Sequence, residues 1–126
     1  MSNDLDSVAK TLIDLMVRAA PEMTIKAAGA RGVHLLAGWD NPLKPGQPMG
    51  FGGVQKMKNY VSFHLMPVYS HPALAATISP MLKKRMQGKS CFNFKTQDPE
   101  LFAQLEILTR LAAKTYAEPF TLQRQP

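Results

Sequence analysis

A chain of 126 residues, 45% hydrophobic and 19% charged, suits one globular domain with a real core and excludes a disordered polymer. A single cysteine, Cys91, excludes an internal disulfide, and no run approaches the ~20 apolar residues of a membrane helix. The formal charge of +6, from 15 Lys and Arg against 9 Asp and Glu, favours anionic partners without choosing among them.

At the N-terminus, Asp4 and Asp6 make the start acidic, unlike an export signal, so a cytoplasmic location is expected, where thiols stay reduced. Leu5, Val8, Leu12, Leu15, Met16 and Ala19 recur at helical spacing, and Pro21 ends the segment. Met23–Ala28 and Val33–Trp39 are short strand-like runs joined by Gly29-Ala30-Arg31-Gly32. Asp40 to Pro48 carries three prolines and reads as a loop. Gly50–Met57 and Tyr60–Leu65 flank Lys58-Asn59, a two-residue hairpin in which Asn59 is expected to take positive φ. Val61, Phe63 and Leu65 then share one face, and Tyr60, Ser62 and His64 the other. Gly50, Gly52 and Gly53 point to a bulge or a close backbone approach.

Ser70-His71-Pro72 and Ser79-Pro80 each place a serine and a proline where short helices begin. The second is expected to run from Met81 to Gln87, with Gly88 as its positive-φ terminator. Ser90 to Phe94 is a last strand, and Asp98-Pro99-Glu100 opens a final helix that buries Leu101, Leu105, Leu108, Ala112 and Tyr116. Pro119 onward reads as a loose tail. The expected fold is α+β: a small antiparallel or mixed sheet of about five strands with an N-terminal and a C-terminal helix plus short helices.

Few residues carry obvious chemistry. One Cys and three His, none paired at helical spacing, do not meet a zinc site's needs, and no metal ligand is assigned. Asp4, Asp6 and Asp14 fit helix-terminus roles better than an iron site. Gln87-Gly88-Lys89-Ser90 imitates the end of a phosphate loop, but Lys83 stands where that pattern needs glycine. Cys91 follows Lys83, Lys84, Arg85 and Lys89, with His64 as its base if their strands adjoin; the plainer reading makes it a small buried hydrophobe. Lys56, Lys58, Lys83, Lys84, Arg85 and Lys89 could gather at one end of the sheet as an anion site, with Tyr60, Ser62, His64 and Tyr69 as hydrogen-bonding neighbours.

The segment Tyr60-Val61-Ser62-Phe63-His64-Leu65-Met66-Pro67-Val68-Tyr69, then Ser79-Pro80, Leu82, and Lys84-Arg85-Met86-Gln87-Gly88-Lys89-Ser90-Cys91-Phe92-Asn93-Phe94, resembles the YdhG-like domain family of small bacterial proteins. That resemblance spans most of residues 3–118 and implies one α+β domain over residues 1–126. Some relatives are described as frataxin-like intracellular iron chaperones, which makes iron handling the alternative function. The residues themselves favour a non-enzymatic binding domain, without cofactor, for a small anionic ligand or an acidic protein partner. Nucleic acid and membranes are not expected partners. Its expected ligand-binding residues are Tyr60, His64, Tyr69, Arg85 and Lys89.

Overall fold

The computed structural model describes residues 4–29 and 31–117, so the expected loose tail from Pro119 lies outside the described residues. Helix α1 spans Leu5–Ala19 and starts where the Asp4 carboxylate accepts from the Ser7 N–H at 2.7 Å. The apolar spacing read from the sequence becomes its buried stripe of Val8, Ala9, Leu12, Leu15, Met16 and Ala19. Lys10 and Asp14, one turn apart on the wet side, pair at 2.9 Å.

Six strands follow: β1 (Thr24–Gly29), β2 (Gly32–Asp40), β3 (Pro48–Lys56), β4 (Val61–Leu65), β5 (Met86–Gln87) and β6 (Cys91–Phe94). They form one antiparallel sheet in the order β1-β2-β3-β4-β6-β5. Between β3 and β4, Met57 N–H donates to the Tyr60 carbonyl at 2.8 Å, closing the two-residue Lys58-Asn59 turn. Among the described residues no non-glycine has positive φ, so Asn59 does not adopt the conformation expected of it. The proline-rich loop between β2 and β3 is held by Asn41 N–H to the Gln47 carbonyl at 2.8 Å, with Gly46 at φ +90. Edge strand β1 has all six residues exposed and a register shift between Ile25 and Ala27, a kink of the kind that discourages edge-to-edge pairing.

Three short helices lie between β4 and β5: α2 (Met66–Ser70), α3 (Pro72–Ala75) and α4 (Pro80–Lys83). The Met81–Gln87 helix expected from sequence ends at Lys83, because Met86 and Gln87 pair as β5 with Phe92 and Cys91. Gly88, at φ +76, consequently turns the β5–β6 hairpin and terminates no helix. Ser79 does cap α4, accepting from Leu82 N–H at 3.1 Å. Ser70 serves differently: its hydroxyl meets the Tyr116 hydroxyl at 2.7 Å, while His71 stands at the α3 cap without a side-chain bond to the helix. Helix α5 (Pro99–Thr115) opens on Asp98, which accepts from Leu101 N–H at 3.2 Å.

One continuous core joins these parts. Strand positions Val33, Leu35, Phe51, Val54, Val61, Phe63, Leu65, Phe92 and Phe94 share one core with Leu12 and Met16 of α1 and Leu105 and Ala112 of α5. Helix α1 lies against β2, β3 and β4, and Phe102 of α5 meets Phe94 edge-on at 4.9 Å. Each large side chain so buried contributes roughly 1.5–3 kcal/mol. Tyr116, fully buried, locks the end of α5: its carbonyl accepts from Trp39 Nε1 at 2.8 Å, and its ring meets Phe51 edge-on at 6.1 Å. No helix among the described residues is long and apolar enough to cross a membrane.

Candidate functional site

Because α1 and α5 cover one face of the sheet, the alternation of each strand sends its polar set to the other face. Strand β4 shows this directly, with Val61, Phe63 and Leu65 buried and Ser62 and His64 half-buried between them. The register then lines up one row across all six strands. Ala27 pairs with His34, His34 with Gly53, Gly53 with His64, His64 with Cys91, and Cys91 with Gln87. Two imidazoles thus flank a glycine, their backbones about two strand spacings, roughly 10 Å, apart.

Gly53 lacks the side chain that would fill this gap, and the outer face bears an open trough of about 640 Å³. That volume lies within the ~300–1,000 Å³ typical of small-molecule sites. Arg31, His34, Gln55, Ser62, His64 and Cys91 supply its polar lining, and no Asp or Glu lines it. The neighbouring row, Gly32–Gln55–Ser62–Asn93, extends the polar floor. A smaller hollow of about 270 Å³ between α4 and α5 has no ionisable lining residue.

Within the trough His64 is the most constrained group. Burial, followed by the charge of nearby His34, pushes its pKa below the usual imidazole value, so the neutral ring dominates at neutral pH. Its Nδ1 lies 3.2 Å from Ser90 Oγ and 3.4 Å from Cys91 Sγ. With the ring proton on Nε2, Nδ1 accepts from both. Cys91 is half-buried on the outer face, beside an imidazole, and not the enclosed hydrophobe that its neighbours Ser90 and Phe92 suggest from sequence. The reason is pleating: Phe92 and Phe94 take the inward positions of β6, which forces Cys91 and Asn93 outward.

Of the five residues expected to bind ligand, His64 alone lines the trough. Lys89 and Tyr69 do meet, with the ammonium 5.9 Å from the ring centroid, but Tyr69 sits on α2 beyond the end of β4. Arg85 precedes β5 at the level of Asn93 and Ser62, towards the sheet end that carries Tyr60. Arg85 stands before β5 and Lys89 in the turn after it, at opposite ends of that strand, so the fold does not gather the six cations at one point. Lys56 is also engaged elsewhere, pairing with Asp6 at 2.6 Å.

Sequence reasoning did not single out Arg31, His34 or Gln55. Alternation around Val33 and Leu35 marks His34 as outward-facing, but only the register places it across Gly53 from His64. The helix-1 acids are likewise engaged: Asp4 caps its helix, Asp6 holds Lys56, and Asp14 holds Lys10. Among the described residues no group of three or more His, Cys, Asp or Glu is placed to hold a metal ion. Comparisons with family models, with curated proteins and with solved structures give no match to this chain.

Proposed function

We propose that the chain is a non-enzymatic binding domain that takes a small anionic ligand in the trough on the uncovered face of its sheet. The observation behind this reading is an open, carboxylate-free trough with a guanidinium at its edge and hydrogen-bonding side chains on its floor. Arg31 supplies fixed charge and forked donors suited to carboxylate or phosphate; His34, Gln55 and Ser62 supply orientation. Lys83 and Lys84 at the end of α4, with Arg85 and Lys89 on either side of β5, are exposed and in no ion pair among the described residues, and they add a long-range positive field. Those same cations suit an acidic protein partner. Kinship with the YdhG-like family belongs to the proposal and rests on the two resembling sequence segments, Tyr60 to Tyr69 and Lys84 to Phe94.

A thermal-unfolding screen against inorganic phosphate, succinate, a nucleoside monophosphate and anaerobic ferrous iron tests this. An anion at one hundred times its dissociation constant adds about 2.7 kcal/mol of stability. Stabilisation by an anion that Arg31→Ala with His34→Ala removes is the expected result. An iron response with none from the anions refutes the reading in favour of iron handling.

A further inference from the structure

The trough contains a thiol–imidazole pairing that the proposed ligand binding does not use. Cys91 and His64 are direct cross-strand partners, Sγ lies 3.4 Å from Nδ1, and both side chains line a space open to solvent. A neutral imidazole whose Nδ1 meets a thiol is placed to take the thiol's proton as the sulfur attacks. Ser90 Oγ, 3.2 Å from the same nitrogen, holds the ring in position from the β6 side. Gly53, opposite His64 on β3, keeps the other flank of the imidazole clear.

We propose that Cys91 and His64 form a nucleophilic thiol–imidazole pair that undergoes exchange with small disulfides entering the trough. His64 Nδ1 takes the proton from Cys91 Sγ–H, and the sulfur's electron pair attacks one sulfur of the disulfide. The S–S bond breaks, and its electron pair leaves on the second sulfur, which takes the proton from the imidazolium. Cys91 ends oxidised, as a mixed disulfide, and the departing half of the reagent ends reduced, as a thiol. A second small thiol reverses the step by the same route. This chemistry shares its location with the proposed binding site but does not depend on that site's preference for anions.

The test follows Cys91 modification in the full chain by a neutral dipyridyl disulfide at neutral pH, beside a free peptide of residues 88–94. A base in contact with the thiol gives a rate at least ~10-fold above the peptide. His64→Asn keeps a hydrogen-bond acceptor but cannot take the proton, and is expected to return the rate to the peptide's level; Cys91→Ser abolishes reaction. A wild-type rate no faster than the peptide's, or a His64→Asn rate equal to wild type, overturns the proposal and leaves a purely structural S–H···N bond. Should His64→Asn fail to fold, the wild-type-to-peptide ratio alone still decides. Repeating the assay with a bis(nitrobenzoate) disulfide on wild type and Arg31→Ala separates the two readings. Indifference to Arg31 there counts against anion binding, while the neutral reagent judges the thiol pair.

Discussion

Replacing Gly52 by alanine should open the sheet under the candidate site, whereas the same change at Gly50 should not. A Cβ on Gly52 would stand 2.5 Å from the His64 carbonyl oxygen and 3.2 Å from Met16 Cε. Carbon–oxygen contacts across a sheet settle near ~3.3–3.6 Å, so β3 and β4 must part by roughly 0.8 Å or more. The oxygen belongs to backbone fixed by the ladder to its neighbours, and Gly52 is buried, so neither side yields cheaply. Overpacking of this kind costs about 1–3 kcal/mol, against a gain of about 0.4–1 kcal/mol from a less flexible unfolded chain. The midpoints of these ranges leave a net loss of about 1.3 kcal/mol. At Gly50 the nearest atom to a new Cβ is His34 Nε2 at 3.8 Å, an ordinary contact, so Gly50→Ala should be neutral or slightly stabilising. Urea unfolding of both variants beside wild type measures the difference. Gly52→Ala should also slow Cys91 modification, because the displaced carbonyl is that of His64 itself. Equal stability of the two variants, or a Gly52→Ala variant as stable as wild type, refutes the close-approach reasoning.

Two further expectations concern the helices. Glu106 accepts from Arg18 at 2.9 Å and from Arg110 at 2.7 Å, and these bonds lower its pKa to about 2. A depressed carboxylate stabilises the fold above its unfolded value, 4.5, and the stabilisation is lost as pH falls towards about 2. Both arginines are more than half exposed, at 55% and 53%, so solvent screening limits Glu106→Gln to about 0.5–1 kcal/mol at neutral pH. Urea midpoints should converge near pH ~2, and a gap that persists there contradicts the assignment. Asp98→Ala removes the α5 cap and should cost about 1 kcal/mol, most of it recovered by Asp98→Asn, which keeps an acceptor oxygen. An equal loss in both variants would assign the effect to charge at the helix end.

Local signals carried much of the fold. The stripe of α1, the Asp98-Pro99 start and buried face of α5, the two-residue turn at Lys58-Asn59 and the alternation of β4 each depend on contacts within a few residues, and all are present. The close approach expected of the glycine cluster is present at Gly52 and Gly53, where a Cβ would stand 2.5 Å and 2.8 Å from backbone oxygens of the adjacent strands. Met86-Gln87 defeated the same logic. Two residues after a helix-start signal extend a helix by local rules, and only pairing with β6 makes them a strand.

The site depended on long-range information almost entirely. Sequence gives the outward direction of Ser62 and His64, since a one-residue shift would drive Phe63 into water. It also supplies the chemistry of His64 and Cys91 as residue types. Which strands adjoin, and in what register, is set by the packing of Phe51, Phe63 and Phe92 beneath α1 and α5. That packing puts His64 against Cys91 from 27 residues away, leaves Gly53 between two imidazoles, and sends Arg85 and Lys89 towards different ends of the β5 edge. The sequence determined the faces of each element by itself, because periodicity is local. The tertiary structure alone decided which faces meet, because that choice minimises exposed apolar surface over the whole chain at once.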